Sequence, residues 1–191
     1  RSGKDPLDHP STLMLQRVQL RRIFSRDSLE KGGRFYGGWW QSIPAKYRPY
    51  IRIDGKQTIE VDYSAMALRI IYSELGIEYD EDEDPYDLGL PGWEGKSDPR
   101  RKVIKKAFNA LLNDEDRVFR LKPHQKKALG LTHGGFTELV TRKHPEIAKC
   151  FGTGIGLGTQ YIDSQIAEAL MLDMIRSGTP ILPIHDSFIV T

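Results

Sequence analysis

The sequence predicts a mixed α/β fold of the α+β kind, with a small antiparallel sheet and several helices. Two short apolar runs, Ile181–Ile184 and Phe188–Val190, lie on either side of a turn, which is typical of a β-hairpin. A third β-branched run, at 58–61, is followed by apolar residues at helical spacing from about Ser64. With 39% hydrophobic residues in 191, the chain is long enough for one domain with a sizeable core.

An aspartate follows the third apolar run. In IEVDYSAMALRI, residues 58–61 predict a buried strand that ends at Asp62 and leads into a helix. A second aspartate, Asp186, lies in the hairpin of PIHDSFIV, where Asp186 and Ser187 are predicted to form the tight turn. Because an aspartate side chain often accepts a hydrogen bond from the backbone two residues on, Asp186 by itself also fits an ordinary turn.

Taken together, the two aspartates predict a metal site. Neighbouring strands can bring Asp62 and Asp186 to one edge of a sheet, where they could hold two divalent cations about 3.5–4 Å apart for in-line attack at phosphorus. Mg²⁺ prefers oxygen ligands and retains several waters, so two carboxylates, a backbone carbonyl and substrate phosphates are sufficient. The sequence therefore predicts a site for two Mg²⁺ ions, for which Mn²⁺ can substitute.

Charge alternates in blocks along the chain. The net charge is +2, but residues 1–56 and 96–149 carry +7 and +8, whereas 57–95 and 150–191 carry −10 and −3. Basic blocks are often only solvated surfaces. Because the acidic blocks contain both candidate metal ligands, the alternation also favours a polyanion lying across a metal site, and nucleic acid fits this better than a membrane.

The stretch SDPRRKVIKKAFNALLND predicts the most distinctive helix, with Asp98 as N-cap and Pro99 as first helical residue. Its apolar stripe is expected to face the core and consists of Val103, Ile104, Ala107, Phe108, Leu111 and Leu112. The opposite face carries a polar column at intervals of four residues, namely Arg101, Lys105, Asn109 and Asn113. Such a column fits either a solvated face or a triphosphate-binding surface, because Arg chelates phosphate oxygens and Lys supplies a point charge.

Cysteine content and hydropathy exclude several classes of protein. Cys150 is the single cysteine, which excludes a disulfide framework and a Cys-based zinc site and leads us to expect a cytoplasmic protein. No apolar run approaches membrane-spanning length, and no signal peptide is visible, so no membrane partner is expected. The glycine-rich FGTGIGLGT at 151–159 lacks the Gly-Lys-Ser/Thr ending of a phosphate-binding loop.

Four segments, in order along the chain, resemble motifs of the family A nucleic-acid polymerases. GGRFYGGWWQSIP, VDYSAMALRI, RKVIKKAFN and HDSF are similar to segments of bacterial DNA polymerase I and, more distantly, of the single-subunit RNA polymerases of phages and mitochondria. The second, third and fourth are close to motifs A, B and C, and DPY, HPEI and LGTQYIDSQIAEALM add weaker similarities. Each motif alone is weak, but four in the right order across 32–190 form a specific pattern.

The resemblance implies a right-hand-like polymerase without a full thumb. The palm would comprise 32–84 and 151–191 and carry the small antiparallel sheet, and a reduced helical fingers subdomain would span 85–150. Residues 1–31 would supply at most a remnant pair of helices, with an apolar side formed by Leu13, Leu15, Val18, Leu20 and Ile23.

The resemblance also implies catalytic roles. Asp62 and Asp186 would bind the metal ions, with the backbone carbonyl of Tyr63 as a further ligand. Arg101 and Lys105 would bind the nucleotide phosphates, and Lys105 would also protonate the pyrophosphate. Asn109, on the same column, is a further candidate for nucleotide binding.

Contacts with the nucleic acid are implied in the same way. His185 would contact the primer terminus, and Arg34 would lie near the primer strand. Gln41 and Lys46, in the QSIP segment, would face the minor groove of the template–primer. The expected partners are therefore a template–primer, dNTPs and conceivably NTPs, together with a processivity or replication protein that holds the duplex.

Departures from the family pattern leave the product open. Ala67 stands where DNA polymerase I-like enzymes have a glutamate that excludes the 2′-hydroxyl, and HDS replaces the usual HDE of DNA polymerases. Template-directed DNA synthesis is the favoured function. RNA synthesis or priming with weak sugar discrimination, a metal-dependent nuclease, and an inactive nucleic-acid-binding relative are the alternatives.

Overall fold

The computed structural model describes residues 14–116 and 119–191, which form two compact units. The first unit runs to Met66 and resumes at Gln160–Thr191, and the second is Ala67–Thr159. Strands dominate the first unit and helices the second, so the predicted mixed α/β fold with small antiparallel sheets is confirmed.

The first unit begins with a long β-hairpin. Strands β1 (Arg21–Ser25) and β2 (Ser28–Tyr36) pair antiparallel, and the two residues of their turn, Arg26 and Asp27, have φ values of 57° and 50°. Two consecutive positive φ values are typical of a tight hairpin turn that follows the twist of the strands.

This hairpin overturns part of the prediction for 1–31. Residues 14–20 contain no helix and 21–31 belong to the hairpin, so the predicted helix pair is wrong for the described residues, while Leu13 lies outside them. Leu15, Val18 and Ile23 are exposed, so they form no buried helical stripe. Of the four that the structure describes, Leu20 is the one that packs against the core clusters of the first unit.

A three-stranded antiparallel sheet forms the centre of the first unit. Its strands are β5 (Ile59–Asp62), β6 (Leu182–Ile184) and β7 (Ser187–Val190), in the order β5-β7-β6. A minor ribbon, β3 (Arg52–Ile53) with β4 (Lys56–Gln57), precedes β5. The predicted hairpin is confirmed, with its strands at 182–184 and 187–190, but its turn is at His185 and Asp186 instead of the predicted Asp186 and Ser187.

The prediction that β5 is buried is wrong. Ile59 and Val61 are 62% and 51% exposed, and only Thr58, just before the strand, is buried. β5 is the edge strand of the sheet, with one neighbour instead of two, so its composition reports β propensity rather than a central position.

Helix α5 (Ile155–Arg176) covers one face of the sheet in the first unit. Ala167 and Met171 pack with Phe188 of β7 on that face. The other face is covered by a second cluster, in which Trp40 and Ile51 pack with Ile184 and Ile189. The two strands of the hairpin are therefore enclosed from both sides.

The described residues of the second unit contain four further α-helices, with two short 3-10 helices, Gly95–Ser97 and Pro145–Cys150. The α-helices are α1 (Met66–Glu74, from Ala67 on), α2 (Pro99–Asn113), α3 (Pro123–Leu129) and α4 (His133–Lys143). The prediction for α2 is confirmed at its start, because the Asp98 side chain caps it by accepting a hydrogen bond from the Arg100 backbone at 2.8 Å. Of the predicted apolar stripe, only Val103 is not fully buried.

A buried histidine joins α1 to the rest of the second unit. His144 is fully buried, and its Nε2 donates to the Pro85 carbonyl at 2.9 Å while its Nδ1 lies 3.1 Å from the Tyr72 hydroxyl. Burial lowers the pKa of His144 below its usual value, so the ring is neutral at pH 7. The second unit runs from Ala67 to Thr159, so it extends beyond both ends of the 85–150 predicted for a fingers subdomain.

The glycine-rich segment at 151–159 has a packing role. Gly154 has φ 71°, its N–H donates to the Asp114 carbonyl at 2.6 Å, and an added Cβ would lie 2.2 Å from Cγ of Glu115. A Cβ on Gly156 would lie 2.5 Å from Oδ1 of Asn113. These glycines allow the start of α5 to approach the end of α2. Close packing therefore accounts for the glycine-rich sequence, and no bound phosphate is needed to explain it.

Gly154→Ala should destabilise the protein by about 1–3 kcal/mol, because alanine disfavours positive φ and its methyl group meets Glu115. Gly158→Ala, four residues on within α5, is the matched control, since a Cβ there meets nothing within 4 Å. It should stabilise by roughly 0.5–1 kcal/mol. Urea unfolding of both variants measures the two changes, and equal effects of the same sign would contradict this explanation.

Candidate active site

The two predicted metal-binding aspartates lie at the same end of the central sheet. Asp62, the last residue of β5, pairs in register with Ser187, and Asp186 immediately precedes Ser187 in the hairpin turn. Directly opposed residues in an antiparallel pair have Cα atoms roughly 4.5–5.5 Å apart. The prediction that neighbouring strands bring both acids to one sheet edge is thus confirmed, and neither residue is buried.

Oxygen donors suitable for Mg²⁺ occur at this edge. Besides the carboxylates of Asp62 and Asp186, the backbone carbonyl of Tyr63 is a candidate oxygen ligand at this edge. The Tyr63 ring packs edge-on against Phe188, with ring centroids 6.2 Å apart. Two carboxylates and one carbonyl match the few protein ligands that Mg²⁺ needs when substrate phosphates complete its shell. Within 14–116 and 119–191, no group of three or more His, Cys, Asp or Glu side chains forms a metal-binding set.

A third carboxylate lies beside Asp62 but is already engaged. Oε1 of Glu60 accepts a hydrogen bond from the Ser187 hydroxyl at 2.8 Å and one from Nη1 of Arg48 at 2.9 Å. Because residues two apart in a strand point to the same face, Glu60 and Asp62 share a face of the sheet. The Ser187 hydroxyl therefore ties β7 to β5 next to the two candidate ligands.

His185 occupies the first position of the hairpin turn. Its backbone is left-handed with φ 54°, and its ring packs against Tyr36 at a centroid distance of 5.0 Å. Burial, followed by the nearby positive charge of Arg34, lowers its pKa, so the ring is neutral at pH 7. Its buried Nδ1 has no hydrogen-bond partner among the described residues.

The side chain of Gln41, the first residue of the QSIP segment, forms hydrogen bonds with backbone groups of β2, β6 and Gly37. Nε2 of Gln41 donates to the carbonyls of Phe35 and Pro183 at 2.9 and 3.0 Å, and its Oε1 accepts from the Gly37 N–H at 3.0 Å. The indole of Trp40 donates to the same Pro183 carbonyl at 2.9 Å. These bonds occupy the whole Gln41 carboxamide, so the predicted minor-groove contact would require some of them to break.

The other two predicted nucleic-acid contacts differ in their surroundings. Lys46 is exposed, with its ammonium 4.7 Å from the centre of the Tyr47 ring. Arg34 is half-buried; its Nε donates a hydrogen bond to Oδ2 of Asp163 at 3.1 Å, and its Nη2 forms an ion pair with the same oxygen at 3.0 Å. Asp163 is itself only 4% exposed.

In the second unit, the two cations of the predicted phosphate-binding column have different environments. Nε and Nη2 of Arg101 donate to the two carboxylate oxygens of Asp84 at 2.8 and 3.1 Å, and the guanidinium lies 5.0 Å from the centre of the Tyr86 ring. Burial, the largest single effect, raises the pKa of Asp84, but the hydrogen bonds from Arg101 and the Tyr86 backbone together with the charge of Arg101 outweigh it, so the pKa is lowered. Lys105 has no ion pair of this kind among the described residues.

The remaining predicted nucleotide-binding residues lie on helices of the second unit. Asn109 is exposed on α2 one turn after Lys105, and its carbonyl accepts a hydrogen bond from Nδ2 of Asn113 at 2.7 Å. Ala67 lies in the first turn of α1 and is partly exposed. The predicted column on α2 is therefore present: Arg101 forms an ion pair with Asp84, and Lys105 forms no described ion pair.

Sequence reasoning assigned no role to two acids that hold predicted site residues. Asp84 belongs to the DPY segment, and its partner Arg101 is 17 residues away. Asp163 shares the buried side of α5 with Ala167 and Met171, at intervals of four residues. A single acid on the buried face of α5 was the available signal for Asp163, because a charged group there needs a buried partner.

Comparison with family models, with curated proteins and with solved structures gives no match for this chain. The similarity to the family A polymerases therefore stays a prediction. Among the helices of the described residues, none combines the length and apolar character needed to cross a membrane.

The different environments of Lys105 and Arg101 predict different effects of their removal. Lys105→Ala should raise the apparent nucleotide KM or lower the incorporation rate by roughly ten- to hundredfold, with unchanged stability. Arg101→Ala should lower the free energy of unfolding by about 1–3 kcal/mol, because it leaves the mostly buried Asp84 carboxylate without its partner.

Nucleotide kinetics and urea unfolding of both variants, with Lys102→Ala on the exposed side of α2 as control, separate the two roles. Normal nucleotide kinetics in Lys105→Ala would show that Lys105 does not bind the nucleotide. Unchanged stability in Arg101→Ala would show that the bond to Asp84 contributes little.

Proposed function

We propose that the protein catalyses template-directed nucleotidyl transfer, as a nucleic-acid polymerase for which DNA synthesis is favoured over RNA synthesis. The observation that carries the proposal is the register of β5 against β7, which sets Asp62 and Asp186 side by side at one sheet edge. The order of the motifs and the charge blocks supports it. The corresponding fold proposal is a polymerase palm at 32–84 and 151–191 with reduced fingers at 85–150.

In the proposed reaction, the 3′-oxygen of the primer attacks the α-phosphorus of the incoming nucleotide, and the bond to pyrophosphate breaks. Two Mg²⁺ ions, when bound, would supply the Lewis-acid chemistry for attack and departure. The carboxylates of Asp62 and Asp186 and the Tyr63 carbonyl would hold these ions at the sheet edge. Lys105 would donate a proton to the departing pyrophosphate.

The primer end is proposed to meet the hairpin tip. Burial lowers the pKa of His185 there, and its ring packs on Tyr36 at the turn between β6 and β7. It would therefore contact the primer terminus by packing and hydrogen bonding rather than by charge. Arg34, close to His185, would contribute the positive charge next to the primer strand.

Binding of the duplex is proposed to depend on charge outside the metal site. The basic blocks at 1–56 and 96–149 would contact the phosphates of the template–primer, with a strong dependence on salt. A processivity or replication protein would hold the duplex where a full thumb is missing. The cytoplasm is the proposed location, in keeping with the single cysteine.

Primer extension tests the proposal. Asp62→Ala and Asp186→Ala should each abolish incorporation and leave duplex affinity nearly intact, because the carboxylates hold metal ions while the basic blocks hold phosphates. Wild type, both variants and the exposed control Asp173→Ala on α5 are compared on a labelled template–primer with dNTPs and with NTPs. Duplex affinity is measured on the same samples.

Extension by either aspartate variant within roughly tenfold of wild type, or 1.4 kcal/mol, would exclude the two-metal assignment. Primer shortening without extension would instead favour the metal-dependent nuclease. Duplex binding with neither reaction would favour an inactive binding relative.

Sugar selection is the least constrained part of the proposal, and Ala67 tests it. A methyl group at this position offers neither a clash nor a buried charge to a ribose 2′-hydroxyl, so dNTPs and NTPs should be discriminated poorly. Ala67→Glu should restore a preference for dNTPs by reducing NTP use. The measurement is the ratio of single-nucleotide incorporation efficiencies for dGTP and GTP.

Valine at the same position, Ala67→Val, is the uncharged control for added bulk. If wild type already prefers dGTP by more than about a thousandfold, on the order of 4 kcal/mol, another residue selects the sugar.

A further inference from the structure

A buried carboxylate fixes Arg34, the arginine that the resemblance places near the primer strand. Nε and Nη2 of Arg34 lie 3.1 and 3.0 Å from the same atom, Oδ2 of Asp163. Only 5% of the Asp163 side chain and 24% of the Arg34 side chain are exposed. A carboxylate that is buried this deeply needs a partner, so the pair holds the guanidinium in one orientation.

The strand that carries Arg34 lies against the hairpin that carries Asp186. Two residues after Arg34, the Tyr36 ring packs on His185 with centroids 5.0 Å apart. Between them, the Phe35 carbonyl shares the Gln41 amide with the carbonyl of Pro183 on β6. Burial raises the pKa of Asp163, Arg34 lowers it, and the negative charge of Asp186 raises it to a smaller extent. The charges of Arg34 and Asp186 both act on His185, the residue whose ring packs on the strand of Arg34.

Of the two carboxylates, Asp163 and not Asp186 receives the described hydrogen bond of Arg34. If the guanidinium turned to Asp186 instead, it would form a charge-assisted pair there and occupy an oxygen that a divalent cation needs. Asp163 prevents this because the less exposed carboxylate, with fewer water molecules to replace the guanidinium, forms the stronger pair.

We infer that Asp163 is a positioning residue that holds the Arg34 guanidinium away from Asp186 and so keeps the Asp186 carboxylate available to a divalent cation. The inference rests on the metal-binding role of Asp186 in the proposed function. It assigns to Asp163 no contact with the substrate; its effect passes through Arg34.

Loss of the Asp163 charge should weaken metal binding. Asp163→Asn keeps the size of the side chain but removes its charge, so Arg34 should turn to Asp186 and compete with the cation. The half-saturating concentration of Mg²⁺ should then rise by roughly tenfold, the scale of one charge-assisted contact. Arg34→Gln in the same chain should reverse the rise, because it removes the competitor.

The experiment compares wild type, Asp163→Asn, Arg34→Gln, the double variant Asp163→Asn/Arg34→Gln, and Asp163→Glu, which keeps the charge. Asp173→Asn, an exposed residue on the same helix, is the matched control. Two readouts are taken with template–primer present: Mn²⁺ binding by electron paramagnetic resonance, which needs no catalysis, and the Mg²⁺ dependence of single-nucleotide incorporation. Thermal unfolding reports the stability of each variant.

Weaker metal binding in Asp163→Asn, restored by Arg34→Gln and absent in Asp173→Asn, supports the inference. Unchanged metal binding in a folded Asp163→Asn, or a loss that Arg34→Gln does not restore, overturns it. If Asp163→Asn fails to fold, Asp163→Ser, which also removes the charge, takes its place: weaker Mn²⁺ binding that Arg34→Gln restores supports the inference, and unchanged binding overturns it.

Failure of the proposed function gives a different pattern. Wild type would then bind Mn²⁺ without extending a primer, and the variants would still rank by Mn²⁺ affinity as stated. Absence of Mn²⁺ binding in wild type would overturn both the metal-binding role of Asp186 and this inference.

Discussion

The pairing of β5 with β7 is the constraint on which the candidate site depends. Asp62 and Ser187 are register partners although 125 positions apart along the chain, and this pairing brings Asp62 beside Asp186. Because side chains alternate between the faces of a strand, a slip of one residue would turn Asp62 to the opposite face. The Ser187–Glu60 hydrogen bond and the packing of Phe188 against α5 and Ile189 against Trp40 act against such a slip.

Buried polar contacts hold the other parts of the first unit to this sheet. The Pro183 carbonyl, on the side of β6 that has no neighbouring strand, accepts from both Trp40 and Gln41. Arg22 on β1 donates to Ser164 at 2.6 Å and to Glu168 at 2.9 Å, which ties the first hairpin to α5. Side chains that suggest nucleic-acid contact in the sequence are thus partly structural, because an unmade buried hydrogen bond costs more than a surface contact contributes.

Local patterns in the sequence predicted what depends on local physics. The Asp98 cap, the start of α2 at Pro99 and the hairpin around Asp186 follow from capping, turn chemistry and periodicity, and the structure confirms them. The failures involve non-local information or unrecognised turns. Edge position, which leaves Ile59 exposed, is not encoded in a strand's own residues, and the Arg26–Asp27 turn lacks the glycine that usually marks a tight hairpin. The Arg34–Asp163 pair joins residues 129 apart, beyond any spacing rule.

The shared edge of Asp62 and Asp186 can be measured without reference to catalysis. Cysteine replaces both residues in a Cys150→Ser background, and Cd²⁺ binding is followed by thiolate charge-transfer absorbance in the double variant and in each single variant. Thiolates at this edge should bind one Cd²⁺ jointly, so the double variant should bind far more tightly than either single variant. Binding by the double variant no tighter than by the single ones would show that the two side chains do not share a site, and would contradict the account.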